Sequence, residues 1–302
     1  MIGDTVTAMQ VAVRNYLATT SGGLVELDGV ISPSVLWRPH VYQSKERVGW
    51  QLLSVAPDSS SWEKRIIRAR AADAKLNIGV ATTEDTLTYG EFLLACQRIG
   101  ARIILLKERK NDFAFEKSFA SIPDCVCERN IKLDAETARI MLDAALTRAL
   151  QAKTNVEKGV SLEVLVALFL SQIDNFEVND IGISNRTQQM DVLVHNRSVG
   201  GMLGSSPLVL AEAKNWRKKK VGTNEHALFL RKLNSRNGRA KLGFLVTTGK
   251  ITAGVALEAR RDSMDGTIIV FVDGVELPKI WRGTDSITRE IERLVIEASV
   301  GS

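Results

Sequence analysis

Three ionisable residues stand where charge is costly. Asp191 lies near the start of an apolar stretch, Gln189-Met190-Asp191-Val192-Leu193-Val194. Glu212 and Lys214 close another, Pro207-Leu208-Val209-Leu210-Ala211-Glu212-Ala213-Lys214. Both stretches read as buried β-strands. Side chains alternate faces along a strand, so Glu212 and Lys214 share a face with Ala213 opposite. Residues 196–206 between them hold Gly200, Gly201 and Gly204, a flexible hairpin loop. Antiparallel pairing across that loop would set Asp191 beside Glu212. Charges at the ends of apolar strands cost free energy unless compensated, and neighbouring carboxylates repel. A divalent cation removes the repulsion. Oxygen ligands suit Mg²⁺, which keeps several waters and favours a site shared with a phosphate; Mn²⁺ is expected to substitute. A neighbouring lysine can hold or polarise the attacking water and offset phosphate charge. These are the parts of metal-assisted phosphodiester hydrolysis. A bare E-x-K is common on exposed strands, and the apolar runs leading into these charges set this one apart.

The elements that must position these residues are clearest after residue 150. Residues 161–172 read as a helix with a thick apolar face, preceded by a break at 155–159. Strands follow at 176–183, 190–195 and 208–213, a helix at 221–234, a strand at 242–248, a helix at 252–261, a strand at 268–272 and a helix at 287–297. Residues 134–151, rich in Ala, Leu and Arg, read as a helix joining two halves. Upstream, residues 4–18 form an amphipathic helix carrying Val6, Met9, Val13 and Leu17. Residues 23–54 read as strands broken by Pro33 and Pro39, with a turn near 45–47. Asp58-Ser59-Ser60-Ser61 is a turn and helix cap before Trp62. A strand at 78–82, a helix at 88–100 and a strand at 101–106 follow. The expectation is a smaller α+β domain over residues 1–150 and an α/β domain over 151–302.

Taken in chain order, the second half resembles the PD-(D/E)xK nuclease superfamily, and within it the Mrr-type restriction endonuclease and archaeal junction-resolvase branch. Gly159-Val160-Ser161-Leu162-Glu163 is similar to that branch's glycine-to-glutamate motif on the first helix. Asp191 matches the metal-binding Asp, and Glu212-Ala213-Lys214 the E-x-K, with Asn215-Trp216 a familiar extension. Gly243-Phe244-Leu245-Val246-Thr247-Thr248-Gly249 resembles the apolar strand ending in T-T-G. The likeness covers about residues 155–283. One departure is Gln189-Met190, where many relatives carry an acidic residue or glycine before the Asp.

The resemblance implies a restriction-endonuclease-like fold, a mixed central sheet flanked by helices. It implies that Asp191 and Glu212 bind metal with help from the Ala213 carbonyl, and that Lys214 activates or positions water. Glu163, by itself as easily a solvated helix residue, becomes a third carboxylate at the metal. The implied activity is a Mg²⁺-dependent DNA endonuclease of restriction or phage defence, leaving a 5′-phosphate and a 3′-hydroxyl. A homodimer is an expected partner arrangement, since cutting both strands takes two sites. A separate regulatory or motor subunit is another, because residues 1–130 lack a P-loop. Residues 1–150 are then a recognition, sensing or dimerisation domain. The rival is a catalytically silent nucleic-acid-binding or assembly subunit that keeps the fold, and RNA stays open as a substrate.

Composition agrees with this without proving it. The chain of 302 residues is 45% hydrophobic and 25% charged, enough for two ordinary domains. Its net charge of +5 suits a polyanionic partner. Basic residues concentrate at Arg217-Lys218-Lys219-Lys220, expected at the start of the helix after Lys214 and against DNA phosphates, with Trp216 packing. A scattered set comprises Arg231, Lys232, Arg236, Arg239 and Lys241. His195 and His226 are expected to be structural, and His40 carries no argument. Cys96, Cys125 and Cys127 cannot frame disulfides, and the C-x-C pair lacks a second zinc-ligand pair. With no secretory signal and no apolar run of bilayer length, the expectation is a cytoplasmic protein away from membranes.

Overall fold

The computed structural model describes residues 2–21, 25–26, 40–41, 48–53, 61–87, 90–110, 112–184, 189–201, 203–264 and 266–300. The chain divides into two compact units, Met1–Cys125 and Val126–Ser302. Both are mixed α/β.

In the first unit, α1 (Ile2–Ser21) buries Val6, Met9, Val13 and Leu17, one apolar stripe at helical spacing. The short strands β1 (Val25–Glu26) and β2 (His40–Val41) pair antiparallel. The main sheet runs from β3 (Val48–Leu53) through β4 (Asn77–Thr83) and β5 (Ala101–Arg109) to β6 (Asp112–Phe119). Its first three strands are parallel and only β6 returns antiparallel. Parallel neighbours need crossovers. These are α2 (Ser61–Ala72) and the pair α3 (Glu84–Leu87) and α4 (Gly90–Arg98). Strands and helices therefore alternate, rather than segregating as an α+β domain would. One face of the sheet packs Trp50, Ala81, Ile104 and Leu106 against Met9 and Val13 of α1. Gly79 is required there, because a Cβ would overlap the Trp50 ring. Pro33, Pro39, the turn at 45–47 and the cap residues 58–60 lie outside the described residues. All three cysteines are buried thiols.

The helix α5 (Ile122–Glu128) spans the boundary between the units. Next come α6 (Ala135–Gln151) and α7 (Asn155–Gln172). The two pack on each other inside the second unit, so the helix expected as a joint between halves belongs to the second. The break expected at 155–159 is instead the first turn of α7. Thr154 Oγ1 accepts the Glu157 N–H at 3.2 Å, and the Glu157 carboxylate accepts the Thr154 N–H at 3.1 Å. This capping box satisfies donors that would otherwise be orphaned, and it outweighs the helix-weakening Gly159. At the other end Lys132 Nζ donates to the carbonyls of Ser171 and Ile173, both at 2.6 Å. These bonds meet carbonyls at the buried C-terminal end of the helix with a cation.

The remaining elements are β7 (Phe176–Ser184), β8 (Gln189–Asn196), β9 (Leu208–Lys214), α8 (Thr223–Asn234), β10 (Leu242–Thr247), α9 (Ala253–Met264), β11 (Ile268–Val272), α10 (Lys279–Arg282) and α11 (Ile287–Val300). The sheet order among the described residues is β11-β10-β9-β8-β7. β9, β10 and β11 run parallel, and β8 lies antiparallel to both β9 and β7. α7 packs on β7, β8 and β9, burying Leu162, Leu165, Val166 and Phe169 completely. α8 covers β10, with Phe229 and Leu233 in a cluster with Leu210 and Leu245. Among the described residues no helix is long and apolar enough to cross a membrane.

The capping box gives a direct test of what starts α7. Thr154→Ala should lower unfolding stability by about 1 kcal/mol in a urea titration, while Thr154→Ser should leave it nearly unchanged. An equal loss in both variants would show that the hydroxyl is not what caps the helix.

Candidate active site

The pairing of β8 with β9 stops at Val192↔Ala211. One residue further on each strand stand Asp191 and Glu212, both buried at 6% and 8% exposure. Where the next ladder bond would fall, Asp191 Oδ2 accepts the Ala213 N–H at 2.7 Å. A carboxylate thus replaces a strand, and the two strands part at this point. On β9 the alternation of side chains brings Lys214 back to Glu212, with Nζ 2.7 Å from Oε1. The other oxygen of Glu212 is also taken: Lys232 Nζ of α8 lies 2.6 Å from Oε2.

The parting opens a cleft of about 380 Å³ lined by Glu163, Asp191, Glu212, Ala213, Lys214 and Lys232, together with Lys158 and Trp216. Glu163 enters it from α7. Cβ atoms built at Gly159 and Gly182 would stand 3.6 and 3.4 Å from its two oxygens. Gly182 has φ +69°, so a side chain there would be strained, and Glu163 packs in van der Waals reach of this backbone. Burial, then Asp191, then Glu212 push the Glu163 carboxyl up to about 7, with Lys214 opposing. Asp191 is raised for the same first reason, burial, and then by Glu212; the Ala213 N–H and the two lysines pull the other way. Burial works against the Lys214 ammonium, yet Glu212 and Asp191 outweigh it and raise its pKa. Lys214 is therefore a cation through the neutral range.

The chain just past Lys214 is fixed by the T-T-G segment. Thr247 Oγ1 donates to the Lys214 carbonyl and Thr248 Oγ1 to Asn215 Oδ1, both at 2.8 Å. Asn215 Nδ2 donates to the carbonyls of Ala149 at 2.8 Å and Lys158 at 3.0 Å. Gly249 is obligatory because a Cβ would overlap the Trp216 carbonyl oxygen. Contrary to the expectation from the sequence, the basic run does not begin a helix. Residues 217–220 are an exposed loop, and α8 starts at Thr223. Two interactions delay it: Val221 bridges Ile251, and the Glu225 carboxylate accepts the Gly222 N–H at 3.0 Å. Arg217, Lys218 and Lys220 are exposed, whereas Lys219 lies 3.7 Å over the Trp216 ring and 3.2 Å from Glu225.

Lys232 is the cleft residue that sequence reasoning does not single out, since it stands there only within a scattered basic set. The signal that could find it is its place on α8 beside the buried Phe229 and Leu233, on a helix following the E-x-K strand. His195 stands four residues beyond Asp191 on β8, and His226 is buried with Nδ1 3.5 Å from Glu258. Neither lines the cleft.

Three carboxylates, Glu163, Asp191 and Glu212, line the cleft, and the first two are raised partly by neighbouring carboxylate charge; oxygen donors of this kind are the ones a hard divalent cation takes. The spacing is looser than a closed metal site. Among the described residues no three His, Cys, Asp or Glu side chains are gathered at metal-holding distance. No family model, no curated protein and no solved structure matches the chain.

The raised carboxyl of Glu163 makes stability depend on pH in a defined direction. Its folded pKa of about 7 exceeds the ordinary 4.5, so the folded state holds the proton more tightly. The associated stability is complete below pH 4.5 and is lost as pH rises towards 7. Chemical denaturation in EDTA should find Glu163→Gln equal to wild type near pH 4. Near pH 8 it should be the more stable by on the order of 1–2 kcal/mol, after discounting for partial exposure. Equal stability at both pH values would place Glu163 in solvent.

Proposed function

We propose that the chain is a metal-dependent endonuclease of the restriction-endonuclease fold that hydrolyses phosphodiester bonds in DNA. The observation that carries this reading is the convergence of Glu163, Asp191, Glu212 and Lys214 on one cleft where two buried strands part. Asp191 and Glu212 would hold Mg²⁺, or Mn²⁺ in its place, with Glu163 as the third carboxylate and Ala213 beside them. Bound there, such an ion lowers the pKa of a water and offsets charge on the phosphate.

The chain's own groups have separable tasks. Lys214, on the same strand face as Glu212, activates or positions the attacking water. Its positive charge faces the negative charge that builds up on the phosphoryl oxygens. The water oxygen bonds to phosphorus while the P–O3′ bond breaks; the water gives up one proton to solvent and the leaving O3′ takes one from it, leaving a 5′-phosphate and a 3′-hydroxyl. The bond from Thr247 holds the Lys214 backbone at fixed geometry, which is what orientation of a nucleophile requires. Arg217, Lys218 and Lys220 extend exposed from the same strand end and suit binding to successive backbone phosphates without sequence choice. Lys219, engaged by Trp216 and Glu225, contributes less. Restriction or phage defence in the cytoplasm is the setting this activity fits. The first unit would then recognise DNA, sense a signal, bind a regulatory or motor subunit, or form a homodimer.

One observation favours a second reading, a silent nucleic-acid-binding or assembly subunit: both oxygens of Glu212 are bound by lysines. Plasmid and single-stranded RNA incubated with Mg²⁺, Mn²⁺ or EDTA separate the two. The proposed enzyme nicks or linearises plasmid only with metal, and Lys214→Ala loses roughly 100-fold or more of that rate. Cleavage of RNA alone would move the substrate to RNA. No cleavage, together with no thermal stabilisation by Mn²⁺ in wild type, would leave the silent reading.

A second prediction concerns the loop. Removing the charges of Arg217, Lys218 and Lys220 together should weaken DNA binding equally for all sequences. The slope of log affinity against log salt should fall by about 0.9 for each phosphate that is no longer neutralised. Lys219→Ala should change that slope least, and a larger effect there would reverse the assignment of the loop residues.

A further inference from the structure

We propose that Lys232 is a resident counter-ion of Glu212 that competes with a divalent cation for the same carboxylate and so sets the metal affinity of the cleft. The inference rests on the nuclease reading above. Glu212 is buried, and each of its oxygens accepts from a different ammonium, Lys214 at 2.7 Å and Lys232 at 2.6 Å. A divalent cation bound to Glu212 must take one of those oxygens. An ammonium left within a few ångströms of it would be repelled strongly in a partly buried site. One lysine therefore has to leave.

The two lysines differ in how they are held. Lys214 sits on β9, two residues from Glu212, with its carbonyl bound by Thr247 Oγ1 at 2.8 Å. Lys232 comes from α8, where Phe229 and Leu233 anchor the helix and leave a four-carbon arm to reach across. Both arms can swing without moving the backbone, but Lys214 shares a strand face with Glu212 and starts two residues from it, whereas Lys232 meets Glu212 from a separate element 20 residues on, so Lys232 is the one displaced. The charge balance points the same way. Lys158, Lys214 and Lys232 line the cleft with Glu163, Asp191 and Glu212, so the carboxylates do not outnumber the ammonium groups. A divalent cation would give the cleft a positive excess, which suits a phosphodiester anion. The freed ammonium then lies where it can meet that anion. Lys232 is in these terms a positioning residue acting through Glu212.

The test is calorimetric titration of Mn²⁺ into the full chain without nucleic acid, for wild type, Lys232→Met and Lys232→Arg. Methionine keeps the length of the arm and removes its charge, so K232M should bind Mn²⁺ about tenfold tighter. Arginine keeps the charge and can grip a carboxylate with two bonds, so K232R should bind several-fold weaker. In EDTA, K232M should also melt below wild type, with Mn²⁺ restoring the difference. Wild-type binding with K232M equal or weaker, or with K232R unchanged, would overturn the competition and leave the nuclease reading standing. Absence of heat and of thermal stabilisation in all three proteins would sink both. Should circular dichroism show K232M unfolded, K232R decides alone, since unchanged or tighter binding is incompatible with competition.

Discussion

The second unit turns on one buried hydrogen bond, from the Ala213 N–H to the Asp191 carboxylate at 2.7 Å. A backbone donor deep in a sheet must find an acceptor. Here the acceptor is a side chain, so β8 can turn away from β9 after Val192↔Ala211 without orphaning the donor. The cleft exists because the strands part there. Were the ladder to continue, Asp191 and Glu212 would face each other across a closed sheet with no room for a third group. The same bond opposes burial and Glu212, which together raise the pKa of Asp191.

Around that bond the fold fixes the remaining groups by several means. Glu163 depends on α7, which a capping box starts and Lys132 ends. Lys214 depends on Thr247, Asn215 depends on Thr248, and the close approach of the Trp216 carbonyl requires Gly249. Asn215 links two of these supports through its bond to the Lys158 carbonyl of α7, so the cleft is assembled from two helices, two strands and a strand end that are tied together. Lysines and carboxylates line it in equal number, and two lysines bond Glu212 directly. The ammonium groups offset part of the repulsion among the three carboxylates. This also makes the lysines part of the site's chemistry.

Much of this is legible in the sequence because the governing forces are local. The apolar runs at 190–194 and 208–211 point to buried strands, and period-two alternation joins Glu212 to Lys214. Where expectation and structure differ, a local signal carries less weight than its surroundings. Gly159 reads as a break, although Thr154 and Glu157 cap the helix around it. The basic run reads as helix, although a bridge from Val221 to Ile251 holds the chain extended until Gly222. The first unit reads as α+β because strand direction leaves no local mark, and only the pairing shows that β3, β4 and β5 run parallel.

By itself the sequence determined which residues carry charge into an apolar setting, and which of them share a strand face. Both follow from burial and from backbone geometry over a few residues. Only the tertiary structure decided that β8 and β9 part at Asp191, that Glu163 arrives from another helix, and that Lys232 closes on Glu212 from 20 residues away. These depend on the register of strands and on the packing of helices across a sheet. A long flexible arm such as that of lysine leaves no periodic mark of where its charge will end.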